Sequence, residues 1–150
     1  MNKYAIPLQI RWSDIDQNRH LRHSVYYDYG AMMRMNFLTE HGLSLKTLEE
    51  MQIGPILFRE EAQFRREIKL EDKVTLDVEL TKSTADFGRW SLRHNFVHAD
   101  GSLATRLTID GAWMDLEKRK LAIPGEFIRS VFDQFPKSED FQLVMLEKKA

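Results

Sequence analysis

The chain has 150 residues, 43% hydrophobic and 30% charged, which fits one globular domain and excludes disorder as its main state. Lys and Arg total 22 against 23 Asp and Glu, a formal net charge of -1, so no net basic field draws the protein to nucleic acid or to an anionic membrane. Cysteine is absent, which excludes disulfides, thiolate–zinc sites and a cysteine nucleophile. The opening Met1-Asn2-Lys3-Tyr4-Ala5-Ile6-Pro7 lacks the apolar run of a signal peptide, and no stretch approaches the roughly 18 apolar residues of a membrane span. These features predict a cytoplasmic protein with no nucleic-acid partner and no membrane insertion.

Tyr4, Ile6, Leu8, Ile10 and Trp12 alternate with mostly polar residues and predict a half-buried strand. A loop rich in Asp, Asn and His follows, from Ser13 to His23. Val25, Tyr29, Met32, Met33, Asn36 and Phe37 then recur at helical spacing, with Ser24 as N-cap and Gly42 as the stop. The helix is expected to run roughly 18 residues, about 27 Å. Gly30 inside it is read as a point of close packing against a strand. Ser44 to Met51 predicts a short second helix.

Beyond Gly54-Pro55 the pattern is mostly strand. Ile56, Phe58, Ala62, Phe64 and Ile68 share one face of a long strand, and Glu60 falls on that face. A buried, unpaired Glu60 is costly, so a strand bend that turns it to water is preferred over an acid placed in a partner's cleft. Leu70 to Lys73 is a turn. Val74, Leu76, Val78 and Leu80 form the next alternating run, and Trp90, Leu92, His94, Phe96 and His98 another. Asp100-Gly101 turns the chain into a run carrying Leu103, Leu107, Ile109, Gly111 and Trp113. Pro124 opens a short helix with Phe127, Ile128, Val131 and Phe132. The order predicts an α+β domain over residues 1–136, one long helix laid across a sheet of about five antiparallel strands, with 137–150 as a C-terminal tail that is either frayed or an edge strand. One helix covers only part of such a sheet, so a homodimer or homotetramer is expected.

The chemistry concentrates in Arg11 to Ser24, which holds two carboxylates, two imidazoles and three guanidiniums before a helix N-terminus. Free N–H groups there stabilise an oxygen that gains negative charge, and a nearby carboxylate can activate water or attack a carbonyl carbon. The same residues would also serve as a polar loop whose acids cap turns. Asp14 and Asp16 lie on one side if the segment is extended, where paired carboxylates raise each other's pKa; the alternative for Asp14 is a turn cap. No Gly-x-Ser-x-Gly elbow and no Gly-rich phosphate loop is present. His94 and His98 share a strand face, but nothing supplies a clear third metal ligand, so no metal is expected.

Trp12-Ser13-Asp14-Ile15-Asp16, His20-Leu21, Ser24-Val25-Tyr26-Tyr27-Asp28-Tyr29 and Arg34 together resemble the opening motif of the hotdog-fold acyl-CoA thioesterases of the 4-hydroxybenzoyl-CoA thioesterase type. Phe64-Arg65-Arg66 with Glu71-Asp72-Lys73-Val74, and Leu121-Ala122-Ile123-Pro124 with Phe127, extend the resemblance over residues 4 to 132. Arg19 stands where the family has Gly, and Arg22-His23 where it has Asn-Asn. The resemblance implies a hotdog fold and hydrolysis of an acyl-CoA thioester, with CoA entering only as part of the substrate. It implies Asp16 as general base or nucleophile, the backbone N–H of His23 as oxyanion donor, and His20 as a residue that fixes the loop or the substrate. Tyr26, Met33, Arg59 and Arg89 are the substrate-binding candidates: the acyl chain is expected in a tunnel beside the long helix, at Met32, Met33, Met35 or Phe37, and the CoA against rim cations. Two alternatives remain open at this point, an acyl-carrier-protein thioesterase and an acyl-CoA- or lipid-binding protein without turnover.

Overall fold

The structure is a computed structural model that describes residues 3–145. Eight strand segments form one sheet: β1 (Ala5–Pro7), β2 (Ile53–Phe64), β3 (Val74–Asp77), β4 (Glu79–Ser83), β5 (Arg89–His98), β6 (Leu103–Asp115), β7 (Lys120–Leu121) and β8 (Lys137–Leu143). Three helices accompany it: α1 (Val25–Glu40), α2 (Leu45–Met51) and α3 (Glu126–Phe132). The expectation of about five strands survives as lanes. β3 and β4 both pair with β5, end to end, and β1 and β8 continue outward from β3 and β4. On the other side β5 pairs with β6, and β6 with β2, while β7 follows β5 along β6. All pairings are antiparallel except that of β8 with β4.

Periodicity explains the inner face. Leu92, His94 and Phe96 of β5 and Leu107, Ile109 and Trp113 of β6 are buried, as are Val25, Tyr26, Gly30, Met33 and Phe37 of α1. Each such apolar side chain contributes roughly 1.5–3 kcal/mol by leaving water. Gly30 acts as expected: a Cβ there would stand 2.5 Å from Leu107 Cδ2 and 3.2 Å from His94 Cδ2, so its absence lets α1 lie flush on the sheet. Gly111 does the same between strands, since a Cβ would meet the Trp90 ring at 2.4 Å and the Ile56 carbonyl at 2.6 Å. A second cluster closes one end, where Phe132 of α3 packs against Trp90, Trp113 and Phe135.

Several boundaries differ from the sequence reading. Tyr4, Ile6, Leu8 and Ile10 are half-buried in alternation, but only Ala5–Pro7 pair with a neighbour, and Trp12 is 79% exposed in a 3-10 turn. α1 spans 16 residues. Gly42, at φ 90°, ends it through N–H bonds from Gly42 to Thr39 O and from Leu43 to Leu38 O. Ser24 precedes the helix without a side-chain cap; its hydroxyl accepts instead from Arg22 Nη1 at 2.6 Å. Met32 points outward, 60% exposed, and Tyr26 takes the inner position. β2 stops at Phe64, so Ile68 is buried in the following loop, where its carbonyl accepts from Leu21 N–H at 2.7 Å. Glu60 is exposed, next to a register shift between Leu57 and Arg59, in line with the expected bend. Residues 137–143 are the edge strand β8 rather than a frayed tail, held by Asp140 to Arg93 of β5 at 3.0 and 3.2 Å. Leu146 and the residues after it, like Met1 and Asn2, lie outside the described residues.

Candidate active site

The polar loop before α1 folds into a small hairpin. Ile15 and Leu21 form a bridge, Asp16 N–H donates to His20 O at 2.9 Å, and Arg19 N–H donates to Asp16 O at 3.0 Å. Gln17, Asn18 and Arg19 make the tip, and Arg19 sits at φ 67°, the left-handed position that a three-residue hairpin loop requires and that favours glycine. Asp16 is where it is for a local reason. Its Oδ1 accepts from Asn18 N–H at 2.8 Å and from His20 N–H at 3.3 Å, the usual turn work of a short carboxylate. Its Oδ2 takes no protein hydrogen bond among the described residues, and the carboxylate lines an open cleft of about 300 Å³.

His20, His23 and Tyr26 line the same cleft, so the four residues named for the opening motif are brought together. His23 is exposed just before α1, and its N–H donates to no acceptor among the described residues. This N–H belongs to the positive end of α1. His20 Nε2 lies 2.6 Å from Glu67 Oε2, which fixes the ring. Tyr26 is buried edge-on against Phe64 and Phe96, with ring centroids 5.1 and 5.2 Å apart, and burial pushes its hydroxyl pKa up. Asp16 and His23 thus line one cleft, and a carboxylate with an unengaged N–H nearby is the pair that activates a nucleophile and holds the charge that its attack creates.

Asp14 does not join this pair. It is fully buried, and the Arg11 guanidinium beside it holds its carboxyl at about 2, below the ordinary 3.8. Of the two readings of Asp14, the structure matches the cap: its carboxylate accepts from the Arg11 N–H and guanidinium and does not line the Asp16 cleft.

With this geometry in view, comparison with known proteins identifies the relationship. The thioesterase-like superfamily matches residues 10–135, most of the chain. The chain belongs to this superfamily. No curated protein matches its sequence. Among solved structures it resembles the Staphylococcus aureus protein SAV2348, determined in complex with CoA, with a TM-score of 0.82 at 18% identity over 98% of this chain and 90% of that one. Slr0204, a 1,4-dihydroxy-2-naphthoyl-CoA thioesterase from Synechocystis, matches with a TM-score of 0.78 at 15% identity, over 89% of this chain and 97% of that one. The DHNA-CoA thioesterase from Staphylococcus aureus gives 0.77 at 14% identity, over 89% and 91%. At these identities the resemblance carries the fold, and the fold is the hotdog arrangement of a helix and a curled antiparallel sheet.

The other substrate-binding candidates of this thioesterase-like chain lie elsewhere. Met33 and Phe37 are buried in the core, Met35 packs partly buried against it and Met32 faces outward, and none of the four lines the Asp16 cleft. Arg59 is exposed on β2 and pairs with Glu61. Arg89 stacks over the Phe58 ring, 5.4 Å from its centroid, in a separate cleft of about 170 Å³ with Lys82 and Asp110. The arginines at the Asp16 cleft are Arg65 and Arg66, the second of which also reaches Asp100 at 3.2 Å. Phe64 and Glu67 were not legible as site residues, because neither has a local signal: Glu67 meets His20 only through the fold. Among the described residues no three His, Cys, Asp or Glu side chains converge as metal ligands, and no helix is long and apolar enough to cross a membrane.

Proposed function

We propose that the protein hydrolyses an acyl-CoA thioester to the free acid and CoA. The observation that carries this reading is that Asp16, whose Oδ2 takes no protein hydrogen bond among the described residues, and His23, just before α1, line one cleft of a thioesterase-like chain. Asp16 Oδ2 takes a proton from the water that attacks the thioester carbon and passes it to the departing CoA sulfur, or attacks the carbon itself to form a mixed anhydride that water then hydrolyses while the CoA thiolate takes up the water's proton; in both routes the His23 N–H receives the oxyanion. His20, fixed by Glu67, and Arg65 bind and orient the substrate at the rim. The CoA complex of SAV2348 and the activity named for Slr0204 support CoA as the carrier. The acyl group rests in this open cleft against the Phe64 ring, which is 52% exposed and packs edge-on against Tyr26, and about 300 Å³ there suits a short or single-ring acyl group better than a long chain.

A free-thiol release assay over acetyl-, butyryl-, benzoyl- and palmitoyl-CoA tests both points. Turnover is expected, with kcat/KM at least about tenfold higher for a short or aromatic ester than for palmitoyl-CoA, the scale of selectivity that pocket size sets. Palmitoyl-CoA as the best substrate would move the acyl site away from the Tyr26–Phe64 cleft. Binding of labelled acyl-CoA without thiol release would favour the binding-protein alternative, and release only from an acyl-carrier-protein thioester would favour the other.

The same reading includes self-association. Among the described residues β2 pairs on one side only, with β6, and so presents a twelve-residue edge with Leu57, Phe58 and Phe64 exposed. Such an edge is a template for pairing with a second copy across a two-fold axis. Light scattering at micromolar concentration should give a mass of two or four chains of 17.7 kDa. A mass of one chain would sink this part of the reading.

A further inference from the structure

We propose that Asp14 is a positioning residue for the reaction, a latch that sets the spacing between the Asp16 carboxylate and the His23 N–H. The inference rests on the function proposed above and goes beyond it in naming a residue outside the cleft. A turn cap needs one N–H on a carboxylate. Asp14 takes four hydrogen bonds: Arg11 N–H at 3.2 Å, Arg11 Nε at 3.1 Å, Arg11 Nη2 at 2.8 Å and the Tyr29 hydroxyl. It is also completely shielded from solvent.

The partners come from three separate places. Arg11 precedes the hairpin. Tyr29 belongs to α1, one turn beyond its first residue. Arg22 leaves the hairpin: its N–H donates to the Asp14 carbonyl at 2.8 Å, and its guanidinium stands 3.8 Å from Asp14 Oδ1. Asp16 follows Asp14 by two residues, and His23 follows Arg22 by one. The carboxylate and the oxyanion donor therefore both hang from a single anchored point, and Tyr29 fastens that point to the helix whose N-terminus supplies the N–H. A displacement of about 1 Å at the reacting atoms is enough to cost two orders of magnitude in rate. The arrangement is self-consistent electrostatically, since a buried carboxylate persists only when charge and hydrogen bonds compensate it.

The latch predicts a particular kinetic signature. Tyr29→Phe removes one hydroxyl, leaves the Arg11 pair intact, and should lower kcat on the preferred acyl-CoA at least tenfold while KM stays within about twofold and the thermal midpoint moves by a few degrees at most. Asp14→Asn should lower kcat as well, and the double variant should be no slower than Asp14→Asn alone, as for two members of one network. Hydrogen exchange gives a readout independent of turnover: the His20 and Arg22 amides should exchange at least tenfold faster in Tyr29→Phe. A thermal midpoint that falls in Asp14→Asn with kcat per folded molecule unchanged, or wild-type kcat and exchange in Tyr29→Phe, would overturn the latch. Asp16→Asn assayed alongside keeps the two ideas apart: wild-type turnover in that variant defeats the reading of Asp16, whereas loss there with full activity in Tyr29→Phe defeats only the latch.

Discussion

Asp16→Asn should hydrolyse the preferred acyl-CoA at least about a hundredfold more slowly than the wild type, the low end of what a lost general base costs. The substitution is chosen for what it preserves. Asparagine keeps an oxygen where Oδ1 accepts from the Asn18 and Asn18-proximal His20 N–H groups, so the turn that shapes the hairpin survives. What disappears is the charge and basicity of Oδ2, the oxygen free to meet water or the thioester carbon. Stability should therefore change by no more than about 0.5 kcal/mol, as for a substitution away from the core. Asp16→Ala would confuse the two effects, because it also removes the turn acceptor. Rates within threefold of the wild type in a folded Asp16→Asn would place catalysis on another group.

A pH drop from 7 to 4 should cost the fold about 3 kcal/mol through His94 alone. His94 is fully buried on the inner face of β5. Its Nδ1 faces the Asp77 carbonyl at 2.8 Å and so must carry the proton, which leaves Nε2 to accept from Arg34 Nη1 at 3.0 Å. Both contacts suit the neutral ring. Burial, with the Arg34 charge second, pushes the pKa from the ordinary 6.5 down to about 3. The sign follows: the unfolded chain takes up a proton below 6.5 and the folded one does not until about 3, so stability is full above 6.5 and is lost as the pH falls across that window. Each unit is worth about 1.4 kcal/mol. Asp14, held at about 2, loses its contribution only below the ordinary 3.8, whereas burial raises the Asp77 carboxyl, whose proton uptake in the fold offsets part of the loss from His94. Urea midpoints at pH 7, 5.5 and 4 should fall steeply for the wild type and far less for His94→Asn. An equal fall in both would assign the acid lability to other groups.

Local signals in the sequence carry much of this molecule. The α1 helix, its glycine stop at Gly42, the alternation along β5 and β6 and the turn at Asp100-Gly101 each depend on neighbours in the chain, and each is found in place. Gly30 was legible for the same reason, because a glycine inside a helix calls for a close approach. The inner face of α1 was harder to read: Tyr27, Tyr29, Met32 and Met35 put apolar bulk on several sides of the helix, so spacing does not single out Tyr26 over Met32. β8 was ambiguous because its partner, β4, is distant in sequence and runs parallel to it. At the site, Asp16, His20, His23 and Tyr26 sit within eleven consecutive residues, and one hairpin with the start of one helix gathers them. Arg59 and Arg89 do not line the Asp16 cleft, and the sequence could not order them against Arg65, because a strand rim offers many cations and only side-chain packing decides which of them faces a given cleft.

The left-handed backbone at Arg19 has a consequence for the order of the hairpin tip. Glycine would adopt φ 67° without steric cost, but it would also open the right-handed and extended regions to the loop. Arginine accepts a penalty of about 1 kcal/mol in that conformation and in exchange has fewer others to visit. Two residues upstream of it the chain has Gln17, and three upstream Asp16, so the narrowing of backbone freedom falls on the segment that presents the carboxylate. The tip is in this sense ordered by subtraction: its shape owes as much to the conformations that an L-residue denies it as to the hydrogen bonds that it makes.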